Sequence, residues 1–190
     1  DISTTSFFPA KPLGCYGDGG AVFTDNDEWA ALADSYRVHG KGMFKYDNVR
    51  IGMNSRLDTL QAAILKIKFK AFHEYELRDI NKAAALYTGK LSGKVKTPVV
   101  PEGYYSSWAQ YTIRLDSKEE RDALQARLKE QGIPSMVYYP TPMHGQTAYK
   151  TLNVPDDCCP VARELCDTVL SLPIHPYITE EDIETVCSHI

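Results

Sequence analysis

Two consecutive series of apolar residues at helical spacing predict one long helix in the middle of the chain. The first series begins at Leu57, and the second continues in a shifted phase to Leu91. A shift of phase is typical of a kink, so we expect the helix to bend between the two series. We interpret this helix as a structural connection between two domains. Its apolar positions are Leu60, Ile64, Ile67 and Ala71, followed by Leu77, Ile80, Ala84, Tyr87 and Leu91.

Strand and helix patterns alternate before and after this helix, which predicts an α/β fold. Gly20–Thr24 is a short β-prone run, and Asp25 with Glu28 resembles the start of a helix. After the long helix, Trp108–Leu115 alternates apolar and polar residues as a half-buried strand does.

Capping signals and short apolar runs predict the remaining elements. Ser117 and Glu120 form a capping-box pattern at the start of a helix, and Gly132 suits its end. The other predictions are a strand over Ser135–Tyr139, a helix over Val161–Val169, and a final helix that starts at Thr179 with Asp182 and is stapled by Ile178 and Ile183.

Lys11 is the most informative residue of the chain for function. Apolar surroundings remove the water that stabilises an ammonium ion, which lowers the pKa of a lysine and leaves a free amine to attack carbonyl groups. Pro12 favours extended backbone at Lys11, so the side chain is expected to leave a strand or a loop. Four glycines between positions 14 and 20 permit a close approach of the backbone to a phosphate-bearing ligand. The flanking apolar residues are Phe7, Phe8, Pro9, Pro12 and Leu13.

Lys11 belongs to the first of four sequence blocks that follow one another over nearly the whole chain. The blocks are Ser6-Phe7-Phe8-x-x-Lys11 with Gly17–Gly20, then Arg37-x-His39-Gly40 with Gly52–Ala63, then Ile133–Pro134 with Tyr138–Tyr149, and finally Leu170–Pro176. In residues and order they resemble the DegT/DnrJ/EryC1/StrS sugar aminotransferases, a pyridoxal-phosphate family of aspartate-aminotransferase-like fold. Without this resemblance, Lys11 reads as a surface lysine in a loop rich in glycine and proline.

The resemblance implies the pyridoxal-phosphate-dependent transferase fold of type I. Residues 1–56 then correspond to the C-terminal part of the large, cofactor-binding domain, and residues 57–190 to the linking helix and the small α/β domain. In the family, the earlier half of the large domain precedes the lysine and carries an acidic partner for the pyridine nitrogen. The chain therefore resembles the C-terminal half of these enzymes.

The resemblance also implies which residues bind the cofactor. Lys11 corresponds to the lysine that binds pyridoxal phosphate covalently and moves the substrate proton, and Ser6 to a residue that contacts the cofactor phosphate. Asn54 corresponds to an asparagine that reaches the phosphate of the neighbouring subunit's cofactor, which implies a homodimer with shared active sites. The alternative is that Ser6 and Asn54 are turn residues. For Asn54 this alternative rests on Gly52–Ser55, which has the composition of a loop that ends before a helix.

Six further residues are candidates for binding the substrate. Arg37, His39 and Arg50 surround a loop that in the family lies near the sugar-nucleotide site of the partner subunit. Cationic groups there suit a diphosphate or a uronate carboxylate, and the alternative is solvated loop charge. The block that borders the substrate pocket in relatives contains the other three, Tyr138, Tyr139 and His144. For the two tyrosines, the alternative is a place in the core of a strand.

As a whole, the resemblance implies transamination of a nucleotide-linked keto sugar with L-glutamate as amino donor, for the biosynthesis of surface polysaccharide such as lipopolysaccharide O-antigen. Residues 45–56 look closest to enzymes that aminate the 3-keto position of a UDP-N-acetylglucosamine-derived uronic acid. The dehydratase relatives replace the cofactor lysine by histidine, so Lys11 argues against that subclass. Three alternatives stay open: a 4-keto-6-deoxy sugar aminotransferase, a non-catalytic regulatory protein that binds pyridoxal phosphate, and a structural fragment without activity.

Charge and motif content argue against several other classes. The formal net charge is −4 with basic and acidic residues mixed, so no basic stripe indicates a nucleic-acid partner. No apolar run is long enough for a membrane span and no signal-peptide pattern is visible, so we expect a cytoplasmic protein. A hydrolase is not indicated, because the motif G-x-S-x-G is missing. We interpret His175 as a structural histidine.

The five cysteines lack Cys-x-x-Cys spacing and include an adjacent pair, Cys158 and Cys159, of a kind that seldom forms a disulfide. We expect reduced, structural thiols. Zinc binding by this pair with Cys166 and a histidine is not predicted, because the regular spacing of tetrahedral zinc ligands is missing.

Overall fold

An antiparallel pair of strands, β1 (Ile2–Ser6) and β2 (Gly20–Thr24), begins the chain in this computed structural model, which describes all residues from 1 to 190. The register pairs Ile2 with Thr24 and Ser6 with Gly20. The predicted strand at Gly20–Thr24 is confirmed. Residues 7–19 connect the two strands and carry Lys11, which confirms that this side chain leaves a loop.

Helix α1 (Asp27–Tyr36) follows β2 closely, as predicted. Its N-cap is Asn26, whose Oδ1 accepts a hydrogen bond from the Trp29 amide at 3.0 Å. The predicted start at Asp25 is therefore wrong by one position. An N-cap side chain has to accept from an amide two or three residues further on, and Asn26 is the residue that does so.

The long helix is confirmed and consists of three consecutive segments. Helix α2 (Thr59–Ala71) continues through a π-helical turn (Phe72–Glu76) into α3 (Leu77–Leu91). The π-helical turn is a local irregularity of the helix at the place where the apolar series changes phase. The apolar face predicted for α3 is buried. The one predicted for α2 is not, since Leu60 is 79% and Ile67 is 75% exposed.

A second antiparallel pair lies in the C-terminal part of the chain. Strand β3 (Tyr111–Arg114) pairs with β4 (Val169–Leu172), so that Tyr111 lies opposite Leu172. The remaining helices are α4 (Lys118–Glu130), two short 3-10 helices (Met143–Gly145 and Thr147–Leu152), α5 (Pro160–Thr168) and α6 (Glu180–Ser188).

The core of this part contains α3, β3 and β4. Tyr87 is fully buried, donates a hydrogen bond from its phenol to the Pro173 carbonyl at 2.9 Å, and stacks on Tyr111 with ring centroids 4.9 Å apart. Burial raises the pKa of Tyr87, so the phenol stays a neutral donor. The other large, fully buried side chains of this core are Leu91, Ile113, Leu128, Leu170 and Ile183.

Two predicted elements differ from the structure. Within the predicted strand Ser135–Tyr139, only Met136 pairs with a neighbour, Ser171. Prolines bracket this segment at positions 134 and 140, and a proline has no N–H with which to extend a ladder. The helix predicted over Val161–Val169 ends one residue earlier, because Val169 pairs with Arg114 as the first residue of β4.

The chain divides into two compact units, Asp1–Tyr75 and Glu76–Ile190. The division lies inside the π-helical turn. The predicted division near residue 56 concerns which residues belong to a cofactor-binding domain, and it stays a prediction. Among the helices of both units, none combines the length and the apolar content that crossing a lipid bilayer requires.

Helix α6 begins with the complete capping box that the sequence predicts. The Thr179 hydroxyl accepts from the Asp182 amide at 3.1 Å, and the Asp182 carboxylate accepts from the Thr179 amide at 3.0 Å. Hydrogen bonds from Thr179 hold the pKa of Asp182 below its ordinary value of 3.8. The predicted staple is present as well, since Ile183 is buried and Ile178 packs against the same core.

We expect Thr179→Ala to lower the free energy of unfolding at pH 7 by about 1 kcal/mol, because the Asp182 amide loses its acceptor. A lowered carboxyl pKa stabilises the folded state above the unfolded pKa, and this contribution is lost as the pH falls through the folded pKa. The difference between wild type and variant should therefore shrink below about pH 4. Urea unfolding at pH 7 and at pH 3, with an NMR titration of Asp182, measures both effects.

The matched control is Thr185→Ala in the same helix, because the Thr185 hydroxyl donates to the Glu181 carbonyl and caps nothing. Thr185→Ala should change the free energy of unfolding by no more than about 0.5 kcal/mol. Equal losses in the two variants would contradict the capping argument.

Candidate functional site

Backbone hydrogen bonds close the loop that carries Lys11. The Phe7 amide donates to the Gly19 carbonyl at 2.8 Å, and the Cys15 amide donates to the Phe7 carbonyl at 2.7 Å. Within the loop, the Lys11 amide donates to the Phe8 carbonyl at 2.8 Å. The backbone of Lys11 is therefore fixed by contacts on both sides, and the amine is carried by a tight turn.

Cys15 and Gln61 hold the inner side of this loop. The Cys15 thiol is 1% exposed and donates to the Phe7 and Gly17 carbonyls at 3.0 and 3.1 Å. Gln61, in α2, accepts from the Tyr16 amide at 2.8 Å. Neither residue was predicted to belong to the site. Gln61 lies in the second sequence block, but only the folded chain reveals that its partner is 45 residues earlier.

Close packing excludes larger residues from two glycine positions in the loop. A Cβ on Gly14 would lie 2.7 Å from the Phe8 carbonyl oxygen. A Cβ on Gly19 would lie 3.0 Å from both the Cys15 sulfur and a methyl carbon of Leu57. The glycines therefore serve the internal packing of the turn that presents Lys11.

The apolar enclosure predicted around Lys11 is only partly present. Lys11 is half-buried, and so are Phe7 and Leu13, but Phe8 is 51% exposed. The expectation that the flanking residues alone exclude water from the amine is therefore wrong, because Phe8 does not turn its ring inward.

Two chemical groups that a phosphate-bearing carbonyl cofactor needs are present on this one loop and the strand before it. Lys11 supplies a primary amine. Ser6 supplies a hydroxyl that accepts from the Phe8 amide at 3.2 Å, which leaves its O–H available to donate to an anion. The residues present therefore fit the amine and part of the phosphate contacts of such a cofactor.

Residues 37–54 fold back on themselves at two crowded glycines. A Cβ on Gly40, which has φ of +73°, would lie 1.8 Å from the Arg50 carbonyl oxygen, and a Cβ on Gly52 would lie 2.1 Å from the Gly40 nitrogen. A bridge between Val38 and Asn54 closes the base of this segment. Four predicted site residues are thereby brought onto one loop: Arg37, His39, Arg50 and Asn54.

The side chains of these four residues differ in their surroundings. Arg50 is half-buried, donates to the Ser35 hydroxyl and lies with its guanidinium 5.8 Å from the Tyr36 ring centroid. His39 is exposed, with φ of +60° at its backbone. The amide oxygen of Asn54 accepts from the Arg56 guanidinium at 2.9 Å. Arg50 thus has a structural role in the loop.

Asp34 joins two of the cationic groups. Arg37 lies 2.6 Å and Lys41 3.0 Å from its carboxylate oxygens. Hydrogen bonds from Lys41 and Arg37 lower the pKa of Asp34, so the carboxylate stays ionised. A substrate anion that binds Arg37 has to compete with Asp34. Asp34 was not predicted as a site residue, although its spacing of three residues from Arg37 on a helix is a detectable signal.

Tyr138, Tyr139 and His144 lie in the second unit. The tyrosine rings make an edge contact with centroids 5.5 Å apart, and the side chains are 41% and 67% exposed. The alternative that these are core tyrosines of a strand is therefore wrong. Both rings are accessible to a ligand. His175 accepts from the Tyr177 amide through Nδ1 at 3.2 Å, as a structural histidine does.

Comparison with known proteins gives one consistent family. The profile of the DegT/DnrJ/EryC1/StrS aminotransferase family matches residues 1–190. A UDP-2-acetamido-2-deoxy-3-oxo-D-glucuronate aminotransferase from Pseudomonas aeruginosa is 43% identical over 190 residues, which cover 98% of this chain and 50% of that protein. A protein described as a pleiotropic regulatory protein, from Geobacillus stearothermophilus, is 43% identical over 192 residues, which cover 99% of this chain and 50% of that protein.

The solved structures agree with this result. A DegT/DnrJ/EryC1/StrS aminotransferase from Brucella abortus superposes with a TM-score of 0.92 at 47% sequence identity. The superposition includes 99% of this chain and 49% of the Brucella chain. The fold is that of the type I pyridoxal-phosphate enzymes. The chain spans about half the length of the curated relatives it matches.

We expect Gly52→Ala to disrupt the loop formed by residues 37–54, because its Cβ would overlap the Gly40 backbone. The loss in unfolding free energy should be about 2 kcal/mol or more, with faster amide exchange throughout the loop. Gly89→Ala is the matched control. Its Cβ has open space in the exposed part of α3, so helix propensity should stabilise the protein by about 0.5–1 kcal/mol. Equal effects of the two variants would refute the crowding argument.

Proposed function

Because the chain belongs to the DegT/DnrJ/EryC1/StrS aminotransferase family, we propose that it supplies the Lys11 part of a pyridoxal-phosphate-dependent transaminase acting on a nucleotide-linked keto sugar. The observation that carries this proposal is the position of Lys11, whose backbone is fixed in a closed, glycine-dependent turn between β1 and β2. Members of the family depend on pyridoxal phosphate.

Lys11 has two tasks in this proposal. Its Nζ binds the cofactor covalently between turnovers, and after release the free amine moves a proton at the carbon that gains or loses the amino group. When bound, the cofactor would supply a ring that accepts electrons and, once Lys11 has been displaced, a carbon that carries the amino group from donor to acceptor. The Ser6 hydroxyl donates to the cofactor phosphate. We take L-glutamate as the donor.

The proposed assembly is a homodimer with shared active sites, in which Asn54 reaches the phosphate of the partner subunit's cofactor. The loop that leads to Asn54 supports an interface, because its apolar side chains are strongly exposed in the single chain. Ile51 is 96%, Met43 is 94% and Tyr46 is 87% exposed. Burial of such side chains against a second subunit would stabilise the assembly.

The substrate we favour is a UDP-linked 3-keto uronic acid derived from N-acetylglucosamine. The Pseudomonas relative carries such a substrate in its name. Arg37, His39 and Arg50 on one loop offer cationic groups for a diphosphate and a uronate carboxylate. Tyr138, Tyr139 and His144 provide exposed rings for the sugar or nucleobase. The enzyme would act in the cytoplasm, and its product would be used for the biosynthesis of surface polysaccharide.

Two other functions are alternatives to this proposal. A 4-keto-6-deoxy sugar substrate would use the same Lys11 chemistry and differ only in the residues that contact the sugar. A non-catalytic regulatory role is favoured by the name of the Geobacillus relative.

The central experiment uses the complete gene product with pyridoxal phosphate. Borohydride reduction should attach the cofactor to the peptide that contains Lys11, and glutamate should bleach the cofactor absorption with release of 2-oxoglutarate. We expect Lys11→Ala to abolish the adduct and to lower transamination on the order of 10³-fold or more. Lys129→Ala, on the exposed surface of α4, is the control and should leave the adduct and the transamination rate unchanged.

The outcomes separate the proposed functions. An undiminished rate in Lys11→Ala would make the catalytic claim wrong, and an absorption band indifferent to every amino acid would favour the regulatory role. If the enzyme is active, a panel of UDP- and dTDP-linked keto sugars identifies the acceptor. A preference for 4-keto-6-deoxy sugars would rule out the uronic acid.

A further inference from the structure

Three side chains that can bind a metal come together in the second unit. His144, Cys158 and Cys159 place their ligand atoms within 4.8 Å of one another. The two cysteine sulfurs are 3.6 Å apart. In a tetrahedral zinc site with Zn–S bonds of about 2.3 Å, two sulfurs are separated by roughly 3.8 Å. The observed separation is thus close to that of two thiolates on one metal ion, and it is far longer than the ~2.05 Å bond of a disulfide.

Short hydrogen-bonded turns hold each of the ligands. His144 lies in the 3-10 helix Met143–Gly145, where the Gln146 amide donates to the Met143 carbonyl at 3.1 Å. The Cys158 amide donates to the Pro155 carbonyl at 3.1 Å. Cys159 is the N-cap of α5, and its carbonyl accepts from the Arg163 amide at 3.1 Å. The ligand set is therefore built on ordered local structure.

A backbone carbonyl orients the imidazole. The carbonyl oxygen of Asp156 lies 3.4 Å from Nε2 of His144. A neutral imidazole has one N–H, and placing it on Nε2 allows donation to this carbonyl and leaves the lone pair on Nδ1. Histidines that bind metals typically donate their other N–H to a carbonyl or carboxylate in this way.

The geometry points to a site for one thiophilic cation, of which Zn²⁺ is the representative, bound by Sγ of Cys158, Sγ of Cys159 and a ring nitrogen of His144. Two thiolates and one imidazole form a soft ligand set that favours Zn²⁺ over Mg²⁺ or Ca²⁺. Two thiolates also balance the charge of a divalent ion. Three protein ligands leave the fourth tetrahedral position to water or another small ligand.

Bound zinc would connect two segments that are separate in sequence. It would join the 3-10 helix Met143–Gly145 to the start of α5 and so close the chain between His144 and Cys158 into a loop. Closing a loop lowers the conformational entropy of the unfolded chain, so metal binding should stabilise this unit. The site does not rest on the transaminase proposal, although His144 is a candidate in both.

The experiment measures metal binding to the complete protein, reduced and stripped of metal with a chelator. Competition against a chromophoric chelator should give one Zn²⁺ per chain. X-ray absorption at the zinc edge should detect two sulfurs at about 2.3 Å and one nitrogen at about 2.0 Å. Cys158→Ser and Cys159→Ser, both at exposed positions, should each weaken zinc binding on the order of a hundredfold.

Cys166→Ala is the matched control, since Cys166 is a buried cysteine of α5 that lies outside the cluster. It should bind zinc like the wild type. His144→Gln should weaken binding and remove the nitrogen signal. Unchanged zinc content in the double variant Cys158→Ser/Cys159→Ser would overturn the proposal, and so would a site of four sulfurs that links two chains. Because no readout uses transamination, the metal site and the proposed function fail independently.

Discussion

Both backbone groups of Phe7 are hydrogen-bonded inside the Lys11 loop, and the position of Lys11 depends on these bonds. The amide is bound to the Gly19 carbonyl, and the carbonyl accepts from both the amide and the thiol of Cys15. These contacts require a small residue at position 19, where a Cβ would already meet the Cys15 sulfur. Residues without chemistry of their own therefore determine where the Lys11 backbone lies.

The sequence predicts elements of this fold where the determining contacts are local. The capping box of α6 and the end of α4 at Gly132 involve residues a few positions apart, and both form as expected. Strand β4 has only four residues, all buried, and a run this short carries no periodicity of its own. Its identity comes from pairing with β3, more than fifty residues earlier in the chain. Such a distant partner leaves no local signal.

The same distinction holds for the candidate site. Motif identity was sufficient to single out Lys11 and its loop, but it did not reveal the partners of the charged residues. Arg50 donates to Ser35 on α1, fifteen residues away, a contact that the motif alone does not reveal. His144 meets Cys158 and Cys159 through two turns whose path no spacing rule encodes. Tertiary contacts therefore decide which roles are open to a residue, even where the sequence already identifies the residue as a candidate.

The reactivity of Lys11 is coupled to the exposed apolar loop of the same unit if the proposed homodimer forms. Removing water from around a lysine amine favours its free, uncharged form. Phe8 is 51% exposed, so any further removal of water has to come from side chains outside the Lys11 loop. The loop with Met43, Tyr46 and Ile51 exposes the apolar surface that such a task needs, and in the proposed assembly it lies at the partner subunit's site. Association would then bury that surface and remove water from around the partner subunit's amine in a single step.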